Sequence, residues 1–156
     1  MFDVVLYQPE IPPNTGNIMR LCANAGARLH LIEPMGFILD DRRLRRAGLD
    51  YREWASVQVH GDLDSYLQTQ VPLRLLAFTT RGGRSLAEAA FLTGDALLFG
   101  PETRGLPQDL LDGLGPDRSI FIPMRPHNRS LNLSNAVAIV LYEAWRQQGF
   151  AGAELG

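Results

Sequence analysis

The sequence predicts an α/β fold, a mainly parallel sheet flanked by helices. Apolar, β-branched runs of strand length alternate with segments of helical spacing along the whole chain. Several of those runs, Phe2 to Tyr7 (FDVVLY) and Leu73 to Thr79 (LRLLAFT) among them, lack the apolar–polar alternation of a strand with one wet face. Both of their faces are therefore covered, as in parallel sheets. Polar loops at 79–83, 100–105 and 123–133 directly follow strands, at the edge where open α/β sheets collect ligands.

Taken in order, Phe2 to Tyr7 is the first strand, ended by Pro9, Pro12 and Pro13. Asn14 is the expected N-cap of a helix to about Asn24, with Ile18, Leu21, Cys22 and Ala25 at helical spacing and Gly26 as its stop. Arg28 to Glu33 is a second strand, closed by Pro34 and Gly36. Asp40 or Asp41 caps a short basic helix through Ala47, and Gly48 ends it. Val57 to His60 reads as a weak strand, and Leu63 to Gln70 as a helix behind Asp62. After Leu73 to Thr79, the run Thr80-Arg81-Gly82-Gly83 reads as a flexible loop and Ser85 to Ala90 as one or two helical turns. Asp95 to Gly100 is a further strand and Pro101 to Gly105 a tight loop, with Pro107 near the start of a helix to about Leu111. Ser119 to Ile122 is the last strand. The final helix runs from Leu133 to Gln148, with Gly149 past its end. Because it is apolar on every side from Ala136 to Tyr142, burial on more than one face is expected.

With 156 residues, 46% hydrophobic and 21% charged, the chain has the size of one domain, expected over 1–156, and builds a core without disulfide or metal support. Cys22 stands alone between Leu21 and Ala23 and reads as a buried thiol. His30, His60 and His127 are scattered and form no metal-ligand cluster. The N-terminus lacks the basic start and apolar run of a signal peptide, and no stretch reaches membrane-spanning length, which predicts a cytoplasmic protein. A net charge of −2 argues against holding nucleic acid by bulk electrostatics. Arg42, Arg43, Arg45 and Arg46 nevertheless cluster in one short segment, either as a solvated face or as phosphate contacts.

No G-x-G-x-x-G follows the first strand, and there is no Walker A sequence and no G-x-S-x-G elbow, which leaves Ser130 and His127 poor hydrolase candidates. Phe99 to Gly105 (FGPETRG) is either a connection whose Glu102 and Arg104 pair in solvent or a small-ligand loop that approaches closely at Gly100. In Arg129 to Asn135 (RSLNLSN), capping by Asn132 or Ser134 uses only part of the polar groups, and the surplus points to a ligand. Asn17 and Arg20, three apart, share a helix face. Tyr142 and Trp145, also three apart, read as core or subunit-interface aromatics.

Taken together, PPNTGNIMRLCANAG, LLFGPETRGLP and IPMRPHNRSLNLSNAVAIVLYEAW resemble, in order and spacing, the three signature motifs of the SPOUT superfamily of RNA methyltransferases. IEPMGF and RRLRRAGLDY bring the chain nearest to the single-domain branch that methylates the ribose 2'-oxygen of the wobble cytidine or uridine in leucine tRNAs. The resemblance implies S-adenosylmethionine as cofactor, a homodimer and a deep trefoil knot in the C-terminal part of the sheet, which topology rules alone exclude by default. It also implies that Phe78, Thr79, Gly100, Glu102, Ile122, Ser130 and Leu131 hold the cofactor, mostly through main-chain groups. Arg20 and Tyr142 are implied participants in transfer, with Asn14, Arg129 and Asn135 as their partners. A guanidinium stays protonated in proteins, so orienting the hydroxyl or binding the adjacent phosphate suits Arg20 better than acting as base. Without a separate RNA-binding domain, Arg42, Arg43, Arg45, Arg46 and Arg129 are expected to meet the tRNA anticodon stem-loop. The rival readings are a SPOUT enzyme for another RNA target, ribosomal RNA or a base nitrogen, and a non-catalytic RNA-binding assembly factor. Intact residues in all three motifs favour an enzyme.

Overall fold

The computed structural model describes residues 1–154; residues 155 and 156, the end of the single domain expected over 1–156, lie outside the described residues. Seven strands form one sheet: β1 (Asp3–Tyr7), β2 (Arg28–Ile32), β3 (Gln58–His60), β4 (Leu75–Phe78), β5 (Arg84–Ser85), β6 (Ala96–Phe99) and β7 (Ser119–Phe121). Their order is β3-β2-β1-β6-β4-β7-β5, and every pairing is parallel. Six helices connect them: α1 (Pro12–Ala25), α2 (Asp41–Arg46), α3 (Tyr51–Trp54), α4 (Leu63–Gln70), α5 (Gln108–Leu114) and α6 (Leu133–Gln147). None of the described helices is long and apolar enough to cross a membrane.

The uninterrupted apolar runs are explained by two cores. Side chains alternate across a strand, so Val4 and Leu6, Leu97 and Phe99, and Leu76 and Phe78 join one core with Ile18 and Met19 of α1, Trp54 of α3 and Val137, Val140 and Leu141 of α6. Val5, Ala96, Leu98, Leu75 and Ala77 face the other core, with Tyr66 of α4 and Leu111 of α5. The result is a three-layer sandwich.

Several local expectations are corrected. Asn14 does not cap α1: Pro12 and Pro13 occupy its first two positions, where a missing N–H costs nothing, and the N-cap is Ile11, which has no capping side chain. Glycine 26 does end α1, at φ 72°. The expected helix at 85–90 shrinks to a 3₁₀ turn over Leu86–Glu88 behind the short strand β5. Helix α3, too short to show helical periodicity in the sequence, is a single turn capped by Asp50 and anchored by buried Trp54. Along α6 only one stripe is buried, Val137, Val140, Leu141 and Ala144. Ile139 and Tyr142 remain 42% and 41% exposed, so burial on more than one face does not occur within the chain. Cys22 is buried as expected, and desolvation pushes its thiol up to about 12.

A polar cluster lies inside the second core. Asp3 is buried and accepts from Tyr66 Oη at 2.7 Å and from Arg28 Nε at 2.7 Å, while His30 Nε2 stands 3.4 Å away and His30 Nδ1 faces His60 Nε2 at 2.9 Å. Burial alone raises the Asp3 carboxyl, but His30, Tyr66 and Arg28 outweigh it and hold the group below the usual carboxylate range. Stability from this carboxylate is therefore present above a pH of about 4 and is lost as pH falls through its lowered folded-state value. Tyr66→Phe removes one donor to a buried charge and should destabilise the fold by about 1.5–3 kcal/mol in urea titrations. It should also raise the pH at which acid unfolding begins; an unshifted acid transition would show that Tyr66 does not tune Asp3.

Candidate active site

Strands β6, β4 and β7 are neighbours in the sheet and run parallel, so the loops leaving their carboxyl ends emerge side by side. Those loops, together with the first turn of α1 and of α6, enclose a cavity of about 460 Å³. Phe78, Phe99, Leu106, Leu133 and Ala136 give it apolar walls, and the loop main chains give it a polar rim. Volume and lining are those of a small-ligand site.

Glycines let the loops meet. A Cβ on Gly100 would stand 2.5 Å from Leu106 N and 2.6 Å from Gly105 C, so the second loop folds back onto its own strand end. The close approach expected at Gly100 is thus made by protein backbone. A Cβ on Gly82 would lie 2.5 Å from Ile120 C, because the loop at 79–83 packs against the backbone of β7 and is no free tether.

A chain of hydrogen bonds then joins the loops to the helices. The Glu102 carboxylate accepts from the backbone N–H of Glu10 (2.8 Å) and Ile11 (2.7 Å) and from Asn14 Nδ2 (3.3 Å). It supplies from 91 residues away the acceptor that the α1 N-terminus lacks locally. Asn14 Oδ1 accepts in turn from Asn132 Nδ2 at 3.1 Å, and Asn132 Oδ1 caps α6 through Ser134 N at 2.9 Å. Glu10 reciprocates, its carboxylate accepting from Thr103 N (2.9 Å) and Thr103 Oγ1 (2.8 Å). These donors, with Arg104 beside them, hold the Glu10 carboxyl below its ordinary range. Arg104 faces Glu10 at 3.8 Å, so the alternative of a solvent pair between Glu102 and Arg104 does not form.

All seven residues expected at a cofactor, Phe78, Thr79, Gly100, Glu102, Ile122, Ser130 and Leu131, line this cavity, as do Asn14 and Arg129. Because the Glu102 side chain is taken by α1, what it offers a ligand is its main chain. Between 124 and 131 no backbone N–H finds an acceptor among the described residues, which leaves the donors of Ser130 and Leu131 free for a ligand. Capping uses Asn132, with Ser134 Oγ bonded to it, and of the remaining polar residues Arg129 and Ser130 line the cavity.

Arg20, Asn135 and Tyr142 are outside this lining. Arg20 lies with Asn17 and Arg43 on a second, mostly apolar cavity of about 670 Å³ between α1 and residues 37–49. Its guanidinium donates from Nη2 to Gly48 O at 2.7 Å and from Nε to Glu53 Oε2 at 3.2 Å. Asn135 is exposed in the first turn of α6. Tyr142 packs edge-on against Trp145, with ring centroids 5.5 Å apart, and next to Phe150 farther along the helix. Arg42, Arg43, Arg45 and Arg46 are all exposed on α2. Sequence reasoning missed Glu10 and Glu53. Asp50 and Glu53 carry the spacing of a capping box, the one signal that marks α3 and its glutamate.

Comparison with known proteins finds relatives that match nearly the whole chain. A family model described as the SpoU rRNA methylase family matches residues 1–142. A tRNA (cytidine(34)-2'-O)-methyltransferase of Saccharophagus degradans is 58% identical over 154 residues, 99% of this chain and 100% of the relative. A solved structure described as giving insights into the 2-OH methylation of C/U34 on tRNA superposes with TM-score 0.85 at 46% identity, covering 96% of this chain and 97% of the other. The SpoU methyltransferase AviRb from Streptomyces viridochromogenes, in complex with AdoMet, superposes with TM-score 0.77 at 27% identity over 94% of this chain and 60% of the other. The resemblance carried by the three motifs is borne out: the chain belongs to the SpoU rRNA methylase family.

Proposed function

We propose that this chain is an S-adenosylmethionine-dependent methyltransferase that modifies the ribose 2'-oxygen of the wobble cytidine or uridine in tRNA, with leucine tRNAs as the expected substrates and the cytoplasm as its place. The observation that carries the reading is the convergence of all seven cofactor candidates on one cavity at the carboxyl ends of three adjacent strands. Full-length identity to a cytidine-34 2'-O-methyltransferase and similarity to an AdoMet-bound relative support it.

The residues fit the cofactor. Apolar walls at Phe78, Leu106 and Leu133 suit an adenine ring, and the free N–H groups of the third loop suit its polar edges. S-adenosylmethionine supplies an electrophilic methyl on a sulfonium, which an in-line 2'-oxygen takes as the C–S bond breaks and the hydroxyl proton leaves. The protein's part is to align the hydroxyl with the methyl and to ease proton loss. Arg20 orients the hydroxyl or binds the adjacent phosphate. Since Arg20 does not line the cavity of its own chain, a homodimer that brings it to the partner's cavity satisfies the chemistry. The exposed Ile139 and Tyr142 on α6 supply an apolar face for that dimer and leave Tyr142 near the partner's site. Asn135 and Arg129, at the start of α6 and in the loop before it, complete the RNA-facing rim.

The same reading makes the chain one domain with a trefoil knot. Support comes from the sheet order, in which β7 is inserted between β4 and β5, both of which precede it in the chain, and from the Gly82 crossing against β7. The four exposed arginines of α2 are the tRNA contact in this reading.

Methyl transfer from labelled S-adenosylmethionine to bulk tRNA, followed by nucleoside analysis, should yield 2'-O-methylated cytidine or uridine. Cofactor binding without either product on any tRNA would sink the reading. Arg20→Ala should lower turnover at least about 100-fold while cofactor affinity stays within about twofold; a matching loss of cofactor binding would make Arg20 structural. Replacing Arg42, Arg43, Arg45 and Arg46 together with Ala should weaken tRNA binding and reduce the slope of log K against log salt by about 3. An unchanged slope removes α2 from the interface.

A further inference from the structure

The second cavity shows how the arginine of the proposed reaction is held. Arg20 projects from α1 with its side chain 51% exposed, and a long exposed arginine ordinarily samples many rotamers. Here it is fixed at two points from outside its own helix. Gly48 O, in the turn that ends α2, accepts from Nη2 at 2.7 Å, and Glu53 Oε2, on α3, accepts from Nε at 3.2 Å. Nη1 has no acceptor among the described residues.

Glu53 is itself pinned. Its backbone N–H donates to the Asp50 carboxylate at 3.2 Å, and its neighbour Trp54 is buried in the first core. In a capping box the third-position glutamate would bond back to the N–H of the capping residue; this carboxylate turns to Arg20 instead. The glutamate side chain is 17% exposed while its partner is half exposed. Such a pair contributes little to stability, so the geometry answers to something other than holding the fold together.

We propose that Glu53 is the positioning residue for Arg20: together with the Gly48 carbonyl it fixes the guanidinium so that its remaining N–H groups meet the ribose or its phosphate in one orientation. This rests on the reading of Arg20 given under Proposed function. Both anchors belong to the α2–α3 segment, and Arg43 of α2 lines the same cavity. RNA engaged by the basic helix is thereby placed relative to the arginine through the anchors that hold it. Misplacing a reacting group by about 1 Å can cost about 100-fold in rate, and loss of the carboxylate leaves Arg20 with one anchor in place of two.

The test compares wild type, Glu53→Ala, Glu53→Gln and Arg20→Ala in single-turnover methyl transfer to tRNA, with S-adenosylmethionine affinity, tRNA affinity and Tm measured on each. Glu53→Ala should slow transfer about 100-fold, with both affinities within about twofold of wild type and Tm nearly unchanged. Glu53→Gln, which keeps an acceptor for Nε, should recover about tenfold of that loss. Transfer by Glu53→Ala at the wild-type rate, while Arg20→Ala is inactive, overturns this proposal and leaves the role of Arg20 standing. A fall in rate that merely tracks a fall in Tm or in cofactor affinity also overturns it. Full activity in Arg20→Ala, or a wild-type protein inert toward tRNA, overturns the parent reading and this one with it.

Discussion

The Glu102 carboxylate is the constraint on which the site depends. It leaves the end of β6 and accepts the two N–H groups at Glu10 and Ile11, just ahead of a helix that opens on Pro12 and Pro13 and has no capping side chain of its own. A negative charge there satisfies orphan donors and matches the positive end of the α1 dipole at once. Through Asn14 and Asn132 the same chain of bonds reaches the first turn of α6. Three stretches far apart in sequence are thus held in one register, and the cavity between them is a consequence of that registration. The reciprocal bonds from Thr103 to Glu10 close the arrangement from the other side.

A division of labour among the polar residues follows. The side chains of buried Asn14 and half-buried Glu102 are consumed in bracing, whereas the backbone N–H groups of Ser130 and Leu131 stay unpaired among the described residues. Ligand recognition by main chain on a braced scaffold needs no conformational search by long side chains, which keeps the ordering cost of binding small. Arg20 is held separately, on a second cavity and through a different pair of anchors. Helix α1 thus borders two separate cavities, one lined by Asn14 and the other by Asn17 and Arg20.

Much of this was legible in the sequence, for physical reasons that can be named. Continuous apolar strands betrayed a sheet covered on both faces, because an alternating strand would have left one face wet. Asp40, Asp62, Gly26 and Gly48 marked helix ends correctly because their capping is local. Asn14 misled because its acceptor and donor partners lie about 90 and 118 residues away, at Glu102 and Asn132. The α1 cap is a long-range interaction that no local rule sees. At Gly100 the sequence left a connection and a close-approach ligand loop open; the missing Cβ makes room for Gly105 and Leu106, while the residue also lines the cavity. Helix α6 looked buried all round because composition cannot say which apolar stripe a single chain covers. Glu53 escaped notice because a four-residue helix carries too little periodicity to announce itself.

The most direct measurement is a crystal structure with S-adenosylmethionine bound. The cofactor should lie in the cavity between the three loops, contacting main-chain atoms of Thr79, Gly100, Ile122 and Leu131, with the Glu102 carboxylate still accepting from Glu10 and Ile11. A cofactor found elsewhere, or a Glu102 side chain released from α1 and turned onto the ligand, would contradict the view that a braced main-chain cradle is what the three motifs build.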